Sequence, residues 1–397
     1  MKKLSFPKSK IKVLLLEKLD KSAKDIFLKE GYNVETYDGS LSEEELISKI
    51  KNVSILGIRS KTYISKKVID SADRLLSIGA FCIGTNQINL EECEKAGITV
   101  FNAPYSNTRS VVEIVIGQII NLMRSIVEKS NDLHKGTWRK DSINSYEIRN
   151  KIIGIIGYGN IGSQLSVICE SLGMRVIYYD IVDKLSIGNA KKHETLESLL
   201  KVSDIISLHV DGRVENTNLI GKREIELMKK NSILINYSRG NIVDTKALKE
   251  NLMNNKLMGA AIDVFPKEPL NNKEKFESSL KGIKNLILSP HIGGSTKEAQ
   301  KNIGSYVPDK IIDFVNTGDT SNCVNFPELS LPEQKDSHRL IHIHRNESGV
   351  LLEINKIISS FNINIKGQYL KTLENIGYVI TDIDREYNKD VVKKLKN

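Results

Sequence analysis

Two rhythms of apolar residues alternate along this chain. Short unbroken runs at 11–16, 54–59 and 75–78 have the length and the Ile/Leu content of strands buried on both faces, and the stretches 23–30 and 67–72 between them repeat apolar positions at helical spacing. Strand and helix in turn predict a parallel α/β domain. A longer periodic stretch at 110–129 predicts one long helix bridging to a second α/β domain, with later strands at 205–210, 232–236, 259–264 and 286–289. After Ser295 another amphipathic helix leads the chain back. The first domain is therefore expected to be discontinuous, at 1–107 and 295–326, on either side of a second domain at 108–294.

A polar, proline-bounded linker follows at 327–337, and a third unit at 338–397. In that unit the pattern reads strand 338–344, helix 349–361, strands 363–372 and 377–384, and a helix from 388. This βαββα order is ferredoxin-like without its final strand. The first strand would then be left at an open edge, to be solvated or paired with another chain. No glycine lies between Pro332 and His338, which argues against a free hinge there.

Composition narrows the function classes. With 397 residues, 40% of them hydrophobic, the chain can bury several cores. No apolar run reaches membrane-spanning length, and the basic start has neither a long apolar segment nor a cleavage site, so neither a membrane protein nor a secreted one is expected. Cys82, Cys93, Cys169 and Cys323 lack metal-site or redox spacing and read as reduced thiols of a cytoplasmic protein, with no metal site. The net charge of +9 is spread over isolated lysines without a basic stripe carrying aromatics, which excludes nucleic acid as partner but suits a polyanionic substrate.

The chemistry starts at Lys151-Ile-Ile-Gly-Ile-Ile-Gly157-Tyr-Gly159-Asn160-Ile161-Gly162. A strand-like run feeds a glycine turn, where backbone N–H groups can approach a pyrophosphate at a helix N-terminus. Asp180 ends the next strand, eighteen residues after Gly162. A carboxylate there accepts from an adenosine ribose and repels a 2′-phosphate, which points to NAD rather than NADP.

Hydride transfer from a secondary alcohol also needs a base for the hydroxyl proton and a cation for a neighbouring carboxylate. Arg239 follows the strand at 232–236 and can grip a carboxylate bidentately; on local grounds it could equally be a surface or capping arginine. Glu268 lies just past the next strand and His291 past the one after it. Together they form a plausible acid/base pair, with Glu268 orienting the imidazole and His291 moving the proton.

Several stretches, in order and over nearly the full length, resemble the D-2-hydroxyacid dehydrogenases, most closely their short, three-domain bacterial branch that acts on 3-phospho-D-glycerate. They are Arg59-Ser-Lys, Gly84-Thr-Asn-Gln, the segment from Phe101 to Glu113, the glycine turn, Ser238-Arg-Gly, the segment from Ala261 to Pro269, and Pro290-His-Ile-Gly-Gly-Ser-Thr. The resemblance implies a Rossmann-type NAD domain, a flavodoxin-like substrate domain and a cleft between them. It implies Arg239, Glu268 and His291 as the catalytic set, and an NAD site lined by Gly157, Gly159, Asn160, Ile161, Gly162, Asp180, His209, Tyr237, Ser238, Arg239, Asp263, His291, Gly293 and Gly294. Asp263 would hold the carboxamide, and Tyr237 stands where a smaller residue is commoner.

For the substrate, the resemblance implies Arg59 and Lys61 at the phosphate, Asn107 as a hydrogen-bond donor, and Lys140 beside Trp138 in a loop reaching across a dimer interface. Trp138 could equally be plain interface packing. The third unit resembles an ACT domain, in which His344, Asn346 and Asn364 would bind L-serine at a subunit interface. From local chemistry alone, Asn346 could instead cap the helix and Asn364 sit in a turn. The implied activity is NAD-dependent oxidation of 3-phosphoglycerate to 3-phosphohydroxypyruvate by a homo-oligomer, dimer or tetramer, under serine inhibition. The alternatives are a sister dehydrogenase for 2-hydroxyglutarate, glyoxylate or lactate, or a non-catalytic NAD(H)-sensing corepressor.

Overall fold

The computed structural model describes residues 6–269, 273–332, 337–384 and 389–395. It divides into two units, Met1–Ser106 with Gln300–Asn397, and Asn107–Ala299. In the first unit β1 (Lys12–Leu15), β2 (Asn33–Thr36), β3 (Ile55–Ile58), β4 (Ser77–Ala80) and β5 (Thr99–Phe101) form a parallel sheet in the order β2-β1-β3-β4-β5. That is a flavodoxin-like arrangement. β3 and β4 are buried throughout, as their apolar runs require. Three elements escape the apolar pattern. β2 is a polar edge strand with exposed ends, β5 has only three residues, and helix Glu43–Ile50 is short, although Ser42 and Glu45 form a reciprocal capping box at its start.

The second unit holds β6 (Ile152–Ile156), β7 (Arg175–Tyr179), β8 (Lys191–Lys192), β9 (Ile205–Leu208), β10 (Ser232–Asn236), β11 (Leu257–Ile262) and β12 (Leu286–Leu288). All are parallel, in the order β12-β11-β10-β9-β6-β7-β8. The strand order turns back at β6, where a Rossmann sheet opens its ligand crevice. Helix Thr108–Arg124 covers one face, packing Val111, Val112, Val115 and Ile119 on Ile153, Ile155, Ile233 and Ile235.

The single helix expected at 110–129 is two helices, Thr108–Arg124 and Ile126–His134, bent by 65°. Ser125 between them takes φ +50, and its N–H closes on the carbonyls of Asn121 and Leu122. A left-handed residue ends a helix in this way, but serine in place of glycine leaves no signal in the sequence.

The third domain lies within the first unit. β13 (His338–Arg345), β14 (Ile365–Leu373) and β15 (Ile376–Ile383) pair antiparallel in the order β13-β15-β14, with helices Val350–Ser360 and Lys389–Leu395. On one face Val379 and Ile383 meet Ile354 and Ile358 of the first of these helices. On the other, Ile376, Tyr378 and Ile380 enter the core of the N-terminal sheet beside Phe314, Cys323 and Phe326. Residues 333–336 of the expected linker and Asn388, where the last helix was expected to start, lie outside the described residues.

Polar contacts secure this docking. The Tyr378 hydroxyl donates to Gly318 O at 2.7 Å. Arg339 is paired through Nε with Asp382 Oδ1 at 2.8 Å and donates to Thr317 O and Pro332 O, each at 2.9 Å. Thr317 ends helix Lys297–Thr317, so the guanidinium meets the carbonyl end of a helix dipole. Arg339→Met would leave Asp382 buried without that partner. It is expected to cost about 3–5 kcal/mol of stability, read as a lower urea midpoint.

Candidate active site

The glycine turn after β6 has a distinct demand at each glycine. Gly157 has φ +90, and a Cβ on it would lie 2.6 Å from His209 O; one on Gly162 would lie 2.2 Å from Gly157 O. At Gly159 a Cβ would meet nothing within 4 Å, so that side is open to a ligand. Helix Asn160–Ser171 begins there without a side-chain cap, leaving its first amides available. Asp180, next after β7, accepts from Tyr158 N at 2.7 Å and from Val182 N at 2.9 Å, which ties its carboxylate to the turn. An open turn, an uncapped helix start and a fixed acid suit a dinucleotide such as NAD.

His209 follows β9. Burial pushes its pKa down to about 4, so the ring is neutral, and Nε2 lies 2.8 Å from Ser207 Oγ. Among the described residues its Nδ1 has no partner. The glycine turn thus offers backbone amides, with a neutral imidazole behind it.

At the end of β10 the chain is shaped by Asn236, a residue the sequence did not single out. Its Oδ1 accepts from Ser238 N at 3.1 Å and from Ser238 Oγ at 2.9 Å, and its Nδ2 donates to Arg239 O at 3.0 Å. Arg239 is half-buried, with Nη1 donating to Ser238 O at 2.7 Å. A Cβ on Gly240 would come within 2.0 Å of Phe265 C, so the turn presenting Arg239 accepts only glycine there.

Glu268 and His291 are in contact. His291 Nδ1 lies 2.8 Å from Glu268 Oε2, and Glu268 Oε1 accepts from Phe265 N at 3.0 Å. A carboxylate accepts only, so Nδ1 carries the proton and Nε2 is left to exchange one. The hydrogen bond to Glu268 raises the His291 pKa above its ordinary value; burial opposes this, and the charges of Glu268 and Asp263 support it. Burial alone would raise Glu268, but the His291 hydrogen bond and charge, the Phe265 amide and the Arg239 charge outweigh it and hold the carboxyl low.

His291 has φ +53, rare outside glycine, and its N–H donates to Asp263 O at 2.8 Å. Asp263 is 1% exposed. Its carboxylate accepts from Ser289 Oγ at 2.6 Å, Ile292 N at 2.9 Å and Gly293 N at 2.7 Å. Asn107 occupies the N-cap position of helix Thr108–Arg124 without capping it. Its amide instead lies against Gly294, where an added Cβ would be 2.2 Å from Nδ2, and its buried Oδ1 has no partner among the described residues. Tyr237 and Ser238 are buried, their hydroxyls turned to Ser289 and Asn236.

Other expected site residues belong to other segments of the chain. Arg59 and Lys61 belong to the other unit, just past β3, in a loop held by Glu17. Its carboxylate accepts from Lys61 N at 3.1 Å and Thr62 N at 2.8 Å. Trp138, 77% exposed, and Lys140 follow helix Ile126–His134.

His344 and Asn346 lie at the Gly377 end of β15 and Asn364 at the Asp384 end, roughly 20 Å apart along the strand. Asn346 does not cap the helix; Gly349 holds that position and Asn346 Nδ2 donates to Glu374 O at 3.0 Å.

Residues 116–293 match the NAD-binding domain of the D-isomer specific 2-hydroxyacid dehydrogenases, and residues 340–397 match the AHAS small subunit-like ACT domain. The chain is 48% identical over 393 residues to the D-3-phosphoglycerate dehydrogenase of Dictyostelium discoideum, covering 99% of this chain and 96% of the relative. It is 48% identical over 395 residues to that of Escherichia coli K12, with the same coverage. A solved D-lactate dehydrogenase of Aquifex aeolicus, complexed with NAD and lactic acid, superposes with TM-score 0.71 at 26% identity over 80% of this chain and 100% of that one. This chain belongs to the D-3-phosphoglycerate dehydrogenases, an NAD-dependent branch of the D-isomer specific 2-hydroxyacid dehydrogenase family.

Proposed function

We propose that the chain oxidises 3-phospho-D-glycerate to 3-phosphohydroxypyruvate in the cytoplasm, opening L-serine synthesis. The observation that carries this reading is the 2.8 Å contact of His291 with Glu268, which leaves Nε2 free to take a proton, in the unit that holds the glycine turn and Arg239. Bound NAD⁺ would supply the acceptor for the hydride that leaves C2. Arg239 grips the substrate carboxylate, and His291 Nε2 takes the hydroxyl proton while Glu268 stabilises the resulting imidazolium. Asp263 holds the cofactor carboxamide and Asn107 donates to the substrate. Arg59 and Lys61 take the phosphate dianion, with Lys140 supplied by a second copy in a dimer or tetramer. L-Serine is the proposed effector. His344 with Asn346 at one end of the small sheet and Asn364 at the other require two copies to share one serine.

NADH formation with 3-phosphoglycerate, beside unphosphorylated D-2-hydroxy acids, tests the substrate. Selective turnover is expected, and use of another acid alone would overturn the reading. Arg59→Ala should raise KM for 3-phosphoglycerate by about ten- to a hundredfold, as loss of a charged hydrogen bond implies, and change lactate kinetics far less.

The proton chemistry sets a pH dependence. Oxidation needs neutral His291, so kcat/KM should climb with pH through a pKa above 6.5, while reduction should fall over the same range. Glu268→Gln removes the carboxylate that raises this pKa. Both limbs should move to lower pH, and kcat should fall roughly a hundredfold. An unmoved profile would remove Glu268 from the proton chemistry.

A further inference from the structure

Tyr237 directly follows β10 and is 6% exposed. Its ring lies against Gly293, where an added Cβ would be 3.1 Å from the ring Cδ1 and 3.1 Å from Asp263 Oδ2. The phenol oxygen is 2.9 Å from Ser289 Oγ, and Ser289 Oγ is 2.6 Å from Asp263 Oδ1. These contacts leave no choice of direction. Asp263 only accepts, so the Ser289 hydroxyl gives it a proton and must itself accept from Tyr237. Burial pushes the Tyr237 phenol up, so it keeps the proton it donates.

The chain ends on the carboxylate that also binds the amides of Ile292 and Gly293, directly after His291. Loss of the phenol hydroxyl would free Ser289 to turn away and leave Asp263 Oδ1 short of its tightest donor. Buried and nearly without solvent, that carboxylate has no water to replace it.

We propose that Tyr237 is a positioning residue which, through the Ser289 hydroxyl, fixes the Asp263 carboxylate for the nicotinamide end of NAD. This rests on the reading above in which Asp263 holds the carboxamide. The Tyr237 hydroxyl acts on that carboxylate two hydrogen bonds away, from inside the core.

Calorimetric titration of the intact protein with NADH and with ADP-ribose, which lacks the nicotinamide, tests it. Tyr237→Phe keeps the ring and removes only the donor. It is expected to weaken NADH binding by about three- to tenfold while ADP-ribose binding stays unchanged. Ser289→Ala should do the same, and the double variant should bind NADH no more weakly than Ser289→Ala alone, because both changes cut one chain. NADH binding unchanged in Tyr237→Phe, or NADH and ADP-ribose weakened equally, would overturn the proposal. Asp263→Asn separates the two claims. If it leaves the preference for NADH over ADP-ribose intact, the carboxamide reading of Asp263 fails; if it abolishes the preference while Tyr237→Phe does not, only the Tyr237 chain fails.

Discussion

The buried carboxylate of Asp263 is the constraint on which the candidate site's geometry depends. A charge almost sealed from water must be matched by donors, and here these are the Ser289 hydroxyl and two consecutive amides of the loop after His291. The backbone carbonyl of the same residue receives the His291 amide and so helps sustain its left-handed φ. One residue therefore holds both the backbone conformation of His291 and the loop behind it. The imidazole reaches Glu268 from a fixed backbone, and its free nitrogen faces a settled direction before any substrate arrives.

The same economy governs charge across the nucleotide side. Backbone amides at the start of helix Asn160–Ser171 face the open Gly159, while the imidazole behind the turn is kept neutral by burial. An anionic cofactor bound there, as proposed, would be met by dipoles of fixed orientation. Two side-chain cations, Arg59 and Lys61, lie in the other unit and are proposed for the substrate.

Much of this was legible in the chain. β10 falls where its apolar run predicted, and Arg239, Glu268 and His291 stood out because each follows a strand of one parallel sheet, where such folds gather ligands. What stayed hidden depends on contacts distant in sequence. Asn236 and Ser289 read as ordinary polar residues until the turns they stitch are folded. Glu17 gives no local hint that its carboxylate will bind amides at 61 and 62. The break at Ser125 uses a conformation the sequence advertises only when glycine adopts it. The ends of β15 to which His344 and Asn364 belong follow from strand pairing and not from spacing, so no pattern could show that one protomer separates them.

The docking of the ACT domain bears on how such a module is inherited. Ile376, Tyr378 and Ile380 complete the same core as Phe314, Cys323 and Phe326, and Arg339 finishes the last turn of helix Lys297–Thr317. A domain attached by a loose tether can be exchanged between proteins like a cassette. This one supplies Ile376, Tyr378 and Ile380 to its neighbour's interior, so a recombination joint placed in the linker would split a single core and leave both sides with an apolar wound. The ACT domain and the sheet it docks on are therefore bound to drift together, each substitution on one side of that seam selecting its answer on the other.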